Sequence, residues 1–272
     1  MTNPSPRGRV LIVAGSDSGG GAGIQADIKT VTALGGYAAT AVTAITVQNT
    51  RGVTGIHDVP VEIVGAQMRA VLSDIGADAI KTGMLSNAAV IETAAKALDE
   101  FAPHVPIVAD PVMVAKGGAP LLDPKATGAL KAVLIVRATI ITPNIPEAEA
   151  LTGLRITTLD EMKHAAEMML SLGPKAVLLK GGHLPSAHVY DLLATPAGIE
   201  TFISPRIETQ HTHGTGCTLA SAVACGIAQG MGIREAVMRA RAYVHEAIRT
   251  APGFGEGHGP INHMHTVRFF SG

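Results

Sequence analysis

The residues best suited to chemistry lie in the segment 211–217, His-Thr-His-Gly-Thr-Gly-Cys, which an apolar run over 218–225 follows. Glycines allow a backbone to approach a ligand closely, and the apolar run predicts a helix that begins at this loop. The first N–H groups of a helix lack acceptors within it and lie at the positive end of its dipole. The segment therefore predicts a binding site for an anion, most often a phosphate group.

Cys217 lies where that helix begins, and the field at such a position favours thiolate over thiol. We therefore expect a thiol more acidic than a free cysteine, suited to accept a proton or to lie beside an anion. A small buried hydrophobe is the other interpretation, and the spacing alone does not decide between them. Cys225 lies further along the helix among alanines and valines, and we predict that it is buried.

Asp27 lies in the predicted first helix, within the arc of that helix's apolar stripe. A carboxylate on a buried face needs a partner, and a donor on a bound ligand would supply one, although a structural hydrogen bond is the alternative. If the ligand is the partner, replacing Asp27 by alanine should preserve or raise stability. The stripe comprises Ile24, Ile28, Val31 and Leu34.

Other polar side chains follow predicted strands. Gln48 offers a donor and an acceptor, which suits one edge of a heterocycle, although a turn residue is the alternative. Glu147, three residues after Asn144 at a helix start, is placed to hold magnesium directly or through water, although glutamates there also cap helices. Lys180 brings a cation to the same rim, where it suits a transferring phosphoryl group or is simply solvated.

Gly19 to Gly23 follow a predicted strand and open a helix, and residues 21–26 fit a dinucleotide-binding fingerprint in which alanine is last. The acidic residue expected about 20 positions later is missing, which disfavours a nicotinamide-dependent oxidoreductase. The chain also lacks the Gly-x-x-x-x-Gly-Lys-Ser/Thr segment of P-loop proteins. Three late histidines have no carboxylate or cysteine at metal-binding spacing, so we predict surface or packing roles for His258, His263 and His265.

Short apolar runs alternate with helical patterns along the chain. This alternation predicts an α/β fold with a mostly parallel central sheet and helices on both faces. Ligands of such sheets bind beyond the carboxyl ends of the strands, so these polar residues would share one rim. The predicted strands cover residues 10–14, 41–47, 79–81, 106–109, 139–141 and 176–179.

The remaining patterns place the edge of the sheet and the later helices. Residues 189–207 predict a small antiparallel hairpin at the sheet edge, with its turn at 195–198. A helix over 159–172 is predicted from the capping box of Thr158 and Glu161, and another starts after the N-cap Asp123. A last helix over 232–250 has a predicted buried face of Ala236, Val237, Ala240, Val244 and Ile248.

Length and composition limit the classes of protein. A chain of 272 residues rich in small aliphatic side chains predicts a single domain over residues 9–272, preceded by a disordered tail over 1–8. The net charge of −1 argues against nucleic-acid and membrane partners. The cysteines are unsuited to pairing and no signal peptide is recognisable, which predicts a cytoplasmic protein.

Seven segments, taken in order, are more specific than any one of them. They resemble those of the hydroxymethylpyrimidine/phosphomethylpyrimidine kinases of thiamine biosynthesis, in the ribokinase-like superfamily, and the resemblance covers residues 10–265. The segments are Gly19-Gly-Gly-Ala-Gly-Ile-Gln-Ala-Asp27, Gln48-Asn-Thr-Arg-Gly52, Lys81-Thr-Gly-Met-Leu85, Asp110-Pro-Val-Met113, Thr142-Pro-Asn-Ile-Pro-Glu147, Lys180-Gly-Gly-His183 and His213-Gly-Thr-Gly-Cys217.

The resemblance implies ATP-dependent phosphorylation of 4-amino-5-hydroxymethyl-2-methylpyrimidine, then of its monophosphate, in one Mg²⁺-dependent site of a homodimer. It implies that Asn144, Glu147 and Lys180 serve the ATP phosphates and the ion, which Glu147 contacts directly or through water. The residues implied to bind the pyrimidine are Asp27, Gln48, Met84 and Val112. Those implied to act in catalysis are Gly214, Thr215, Gly216 and Cys217, together with Lys180.

Most members of the superfamily have an aspartate base where this chain has Cys217, as this kinase branch and some pyridoxal kinases do. Two alternatives remain open. A pyridoxal kinase of the same fold would also phosphorylate a hydroxymethyl group on a nitrogen heteroaromatic ring. A non-catalytic protein that binds a pyrimidine or a nucleotide would show no kinase activity.

Overall fold

A computed structural model describes residues 7–115 and 118–267. Its strands are β1 (Arg9–Asp17), β2 (Tyr37–Asn49), β3 (Gly52–Asp58), β4 (Ala79–Thr82), β5 (Ile107–Ala109), β6 (Ile140–Ile141), β7 (Val177–Leu179), β8 (His188–Thr195) and β9 (Gly198–Pro205). Within the described residues they form one nine-stranded sheet in the order β3-β2-β1-β4-β5-β6-β7-β8-β9. The six strands from β2 to β7 in this order are parallel, so the predicted α/β fold with a mostly parallel sheet is confirmed.

Helices cover both faces of the sheet. They are α1 (Gly23–Ala33), α2 (Val61–Asp74), α3 (Ala88–Phe101), α4 (Thr127–Ala129), α5 (Ile145–Thr152), α6 (Leu159–Leu170), α7 (Thr215–Ala228) and α8 (Ile233–Arg249). One layer contains α1, α7 and α8, and the opposite layer contains α2, α3, α5 and α6. In the part of the chain that the structure describes, no helix has both the length and the apolar character needed to cross a membrane.

The central strand β1 shows why the sheet is apolar throughout. Val10 and Ile12 pack against the layer of α1, α7 and α8, whereas Leu11 and Val13 pack against the opposite layer. Successive residues of a strand face opposite sides, so a strand covered on both faces must be continuously apolar. This is the pattern from which the sequence predicts residues 10–14 as a buried strand.

The two edges of the sheet are antiparallel. The predicted hairpin is confirmed, since β8 pairs with β9 and the turn lies between Thr195 and Gly198. At the other edge β3 pairs antiparallel with β2, and the sequence analysis does not predict it. Its seven residues include two glycines and are mostly exposed, so they carry no clear hydrophobic alternation.

Local signals fix several helix starts. Thr158 accepts from the Glu161 backbone and Glu161 accepts in return, so the predicted capping box of α6 is present. Asp123 caps the next helical segment as predicted. This segment is not a regular α-helix: a 3₁₀ turn (Pro124–Ala126) is followed by α4, a π turn (Leu130–Leu134) and a second 3₁₀ turn (Ile135–Arg137). Helix α8 buries Ala236, Val237 and Ala240 as predicted, together with Tyr243 and Ala247, while Val244 and Ile248 are partly exposed.

Two predictions about the N-terminal region are wrong in part. Ile28 is 38% exposed, because the buried arc of α1 is centred on Ala26, Asp27, Thr30 and Val31. Arg7 and Gly8 are ordered, since the Arg7 N–H donates to Gly35 and the Gly8 carbonyl accepts from Tyr37. The rest of the predicted tail, residues 1–6, lies outside the described residues.

Candidate active site

A cavity of about 880 Å³ lies at the carboxyl ends of the strands, beside the start of α7. Its walls include residues at or just beyond the ends of β1, β2, β4, β5, β6 and β7, as the position of ligands in parallel sheets requires. The structure therefore brings most of the predicted site residues together. Those that line the cavity are Gln48, Met84, Val112, Asn144, Glu147, Lys180, Gly214, Thr215, Gly216 and Cys217.

The start of α7 forms one wall of the cavity. Gly214 has a φ of +83°, and a Cβ at this residue would lie 1.8 Å from the carbonyl oxygen of Gly21. Glycine is therefore required both by the backbone conformation and by the crossing of the two loops. The N–H groups of residues 215–217 belong to the first turn, which has no acceptors within the helix. This wall offers N–H donors and the positive end of a helix dipole to an anion.

Lys180 brings a positive charge to the same wall. Its Nζ lies 3.1 Å from Oδ1 of Asp110, and a Cβ placed on Gly216 would lie 3.2 Å from that nitrogen. Burial alone would lower the pKa of Lys180, but Asp110 and Glu147 outweigh it and raise the pKa, so the side chain is an ammonium. The lysine predicted from a strand end is thus held beside the first turn of α7.

Asp110 is a site residue for which no role is predicted from the sequence. Its Oδ1 accepts from the hydroxyl of Thr142 at 2.9 Å as well as from Lys180. Both partners also follow strands, so the carboxylate links three strand ends. The signal that would have found it is its position directly after the buried strand β5, since a carboxylate there must face the rim of the sheet.

Glu147 both caps α5 and faces the charged groups of the cavity. Its Oε2 accepts from the backbone of Asn144 at 2.8 Å, and Oδ1 of Asn144 accepts from the backbone of Glu147 at 2.9 Å. Burial raises the pKa of Glu147 to about 7, and the nearby Asp110 acts in the same direction. The carboxyl group therefore lies where a bound cation would stabilise its ionised form.

Cys217 lines the cavity, but its predicted acidity is wrong. Burial raises the pKa of the thiol to about 11, and the carboxylates of Asp27 and Asp110 act in the same direction. The ammonium of Lys81 opposes them without reversing the shift. The sequence could not show the loss of hydration at this thiol or the carboxylates that surround it.

Asp27 lies behind the cavity wall. It is fully buried, with Oδ2 2.9 Å from Nζ of Lys81 and Oδ1 accepting from the hydroxyl of Ser221 at 2.6 Å. Burial opposes a charged lysine, but Asp27 outweighs it and raises the pKa of Lys81, so the lysine is an ammonium. Burial also raises the pKa of Asp27, and the charge of Lys81 and the hydroxyl of Ser221 act against that rise. The structure therefore gives Asp27 the structural partners that the sequence analysis left as the alternative, and Lys81 is the member of the pair that lines the cavity.

Another part of the cavity lining combines an amide with an apolar side chain. Gln48 lies beside His213, which in turn lies 2.9 Å from Oδ2 of Asp17. Met84 is buried, and its sulfur would lie 2.9 Å from a Cβ on Gly15, so this part of the cavity borders β1 closely. A cavity lined by an amide and an apolar side chain suits a heteroaromatic ring.

A parallel sheet whose strand ends gather a helix start, a lysine and two carboxylates around one cavity defines a small-molecule kinase with a ribokinase-like fold. Residues 17–262 match the model of the phosphomethylpyrimidine kinase family. The chain therefore belongs to the phosphomethylpyrimidine kinase family.

Individual relatives agree with this assignment. The hydroxymethylpyrimidine/phosphomethylpyrimidine kinase of Bacillus subtilis is 49% identical over 94% of this chain and 94% of its own length. The thiamine biosynthesis bifunctional protein ThiED of Geobacter sulfurreducens is 54% identical over 96% of this chain, which spans 53% of that relative. The pyridoxal kinase from Staphylococcus aureus, solved with AMP-PCP and pyridoxal, superposes with a TM-score of 0.89 at 34% identity and covers 96% of this chain and 95% of its own.

Proposed function

We propose that the protein transfers the γ-phosphoryl group of ATP to 4-amino-5-hydroxymethyl-2-methylpyrimidine and then to its monophosphate. The observation that carries this proposal is that Gln48, Lys180 and Cys217, the last at the start of α7, line the same cavity. Such a cavity accommodates an acceptor ring and a nucleotide phosphate chain together. The name of the Bacillus subtilis relative supports the same substrates, and the name of the Geobacter sulfurreducens relative supports a part in thiamine biosynthesis.

The transferring phosphoryl group is held by Lys180 and the backbone N–H groups of 214–217. Phosphoryl transfer passes through a loose transition state whose charge lies on the peripheral oxygens, so positioning and neutralisation supply most of the rate. Lys180 is already an ammonium and is oriented by Asp110. We expect replacement of Lys180 by methionine to lower kcat by at least a hundredfold, about the loss produced by removing one such stabilising group.

Glu147 and Asp110 form a donor set that fits Mg²⁺. Both are carboxylates, which this hard cation prefers, and a bound cation would act against the burial that raises the pKa of Glu147. The ion, when bound, neutralises phosphate oxygens of ATP. Asn144 orients Glu147 through the reciprocal cap, and we place both residues at the ATP phosphates.

Cys217 accepts the proton of the hydroxymethyl group. Because its pKa is raised to about 11, the thiolate is a minor form at neutral pH, and kcat should rise between pH 7 and pH 9. Replacement by alanine should lower kcat by roughly 10²- to 10⁴-fold, the usual range for a general base, with little change in the KM for ATP. A loss below threefold together with a flat pH profile would reduce Cys217 to a residue that only orients the acceptor.

A pyridoxal kinase is the second candidate, and the similarity to the Staphylococcus aureus enzyme favours it. The decisive experiment is an ADP-release assay with ATP and Mg²⁺ in which both pyrimidines and pyridoxal are offered in parallel and the product masses are measured. Turnover of both pyrimidines supports the proposed function. Turnover of pyridoxal alone supports the alternative, and no turnover of any acceptor would favour a binding protein.

We also propose a cytoplasmic homodimer. The free thiols of Cys217 and Cys225 fit a reducing compartment, and ATP is abundant in the cytoplasm. The dimer is what the family resemblance implies. Sedimentation equilibrium at micromolar concentration tests it, and the mass of a monomer would contradict it.

A further inference from the structure

The amide of Gln48 is held between two side chains at the rim of the cavity. One end of the amide lies 3.2 Å from Nε2 of His213, and the other lies 3.1 Å from the hydroxyl of Thr46. Gln48 is the proposed ligand of the pyrimidine, so any influence of its orientation on substrate choice rests on the proposed function. An amide has a donor end and an acceptor end, and its neighbours decide which end faces which side.

Asp17 determines which ring nitrogen of His213 carries the hydrogen. Its Oδ1 accepts from the backbone of Gly19 at 2.8 Å, and its Oδ2 accepts from Gly21 at 3.0 Å and Ala22 at 2.8 Å. Although burial acts against it, the hydrogen bond from His213 and these backbone N–H groups lower the pKa of Asp17. An ionised carboxylate only accepts, so the contact of 2.9 Å with Nε2 of His213 requires a hydrogen on that nitrogen.

The amide must then present its oxygen to His213. The hydroxyl of Thr46 already donates to the carbonyl of Ser16 at 2.8 Å, so it accepts from the amide. We infer that Asp17, acting through His213, holds Gln48 with Oε1 toward His213 and Nε2 toward Thr46. The structure has the amide turned the other way, which sets two N–H donors against each other. A half-turn about the last side-chain bond lets Oε1 share with Asp17 the single hydrogen on Nε2 of His213, and lets the amide N–H donate to Thr46.

A fixed amide makes His213 a positioning residue for substrate choice. The second lone pair of Oε1 and the second N–H of Nε2 remain for the ligand, and their order in space is fixed. An aminopyrimidine edge carries an amino donor beside a ring-nitrogen acceptor, which complements such an amide in one order only. Pyridoxal has no amino group beside its ring nitrogen, so its binding should depend less on this orientation.

Isothermal titration calorimetry, which measures the Kd of the hydroxymethylpyrimidine, tests the inference. We expect His213→Leu to raise the Kd of the pyrimidine roughly tenfold, about the effect of losing one buried hydrogen bond. The Kd of ATP should change less than twofold. His213→Gln keeps an N–H donor of similar reach and should recover most of the affinity. In the Gln48→Ala background, His213→Leu should add less than twofold, because its effect passes through Gln48.

Two further readouts separate positioning from a general structural effect. ¹⁵N NMR of the native protein should show the Nε2–H tautomer of His213, and Asp17→Asn should weaken pyrimidine binding as His213→Leu does. The Nδ1–H tautomer, or additive effects of the Gln48 and His213 substitutions, would overturn the inference. Absence of any pyrimidine binding to the native protein would overturn the proposed function as well, so the two failures are distinguishable.

Discussion

At the residue scale, Cys217 should behave as a thiol rather than as a thiolate near neutral pH. Burial raises its pKa to about 11, so alkylation by iodoacetamide should accelerate about tenfold per pH unit from pH 7 to pH 9. The variant Cys225→Ala leaves Cys217 as the sole cysteine of the chain and serves as the protein for the measurement, which follows intact mass against time. A modification rate that is already independent of pH above pH 7 would show that the start of α7 lowers the pKa.

Because Asp27 is paired with Lys81, we expect replacement of Asp27 by alanine to lower stability, which is the opposite of the effect predicted from the sequence. Replacing Asp27 by alanine leaves the Lys81 ammonium without a partner in a fully buried position, and we expect a loss of roughly 3–5 kcal/mol in urea unfolding. The double variant Asp27→Leu, Lys81→Met removes both charges and should recover most of that stability. Equal destabilisation by the single and double variants would contradict an ion pair as the reason for the buried carboxylate.

Residue types and positions along strands were enough to predict several polar residues of the cavity lining, whereas Met84 and Val112 were predicted from the family resemblance. Gln48 lies near the end of β2, Asn144 and Lys180 follow β6 and β7, and the topology of a parallel sheet brings such positions to one rim. The partner of Asp27 was not predictable, because Lys81 comes from a strand 54 residues away in the sequence. The same limit applies to the acidity of Cys217, since its depth of burial depends on the packing of loops around it.

At the element scale, Arg206 fixes the loop that follows β7. Its guanidinium donates to three carbonyls of that loop, from Nε to Ser186 at 2.7 Å, from Nη1 to Gly182 at 2.9 Å and from Nη2 to Leu184 at 2.7 Å. A planar guanidinium group with donors on three nitrogens is needed to reach these three acceptors, and the ammonium group of lysine cannot replace it. The loop carries Gly182 and His183, which line the cavity next to Lys180.

Replacing Arg206 by lysine should therefore loosen the nucleotide end of the cavity. We expect the KM for ATP to rise roughly tenfold, the effect of losing one or two hydrogen bonds to a charged group, while the KM for the pyrimidine changes little. Steady-state kinetics with each substrate varied in turn measures both values. Arg234→Lys, at an exposed pair with Glu200, is the matched control. An unchanged KM for ATP in the Arg206 variant would show that the loop holds its shape without the guanidinium.

Helix starts were predictable and edge pairing was not. The capping boxes at Thr158 and Asn144 are short-range signals that do not depend on the rest of the fold. Strand β3 is stabilised by pairing with β2 rather than by an apolar face of its own, so its sequence gives little sign of it. The exposure of Ile28 has a similar cause, because the neighbouring helix α7 selects which arc of α1 is covered.

At the scale of the whole molecule, His263 ties the C-terminal segment to α7 and makes stability depend on pH. Its Nε2 lies 2.9 Å from the hydroxyl of Thr218, and burial lowers its pKa to about 4. The unfolded state takes up a proton near pH 6.5, whereas the folded state resists it until about pH 4. Folding stability should therefore fall by roughly 3 kcal/mol as the pH is lowered through this window.

The measurement for this prediction is urea unfolding at several pH values between 7 and 4. The variant His263→Gln is the control, since it keeps a polar group beside Thr218 without titrating. Its loss of stability over the window should be smaller than that of the native protein. Parallel curves for the two proteins would contradict the assignment of the effect to His263.

The measurement that tests the central claim most directly is a time course of the native protein with ATP, Mg²⁺ and the hydroxymethylpyrimidine, followed by mass spectrometry of the products. One cavity for both transfers predicts that the monophosphate accumulates first, that the pyrophosphate appears later, and that excess hydroxymethylpyrimidine delays the second step by competing for the site at Gln48. Cys217→Ala should slow both steps together. Failure to form either pyrimidine phosphate, or a second step indifferent to excess hydroxymethylpyrimidine, would contradict the account.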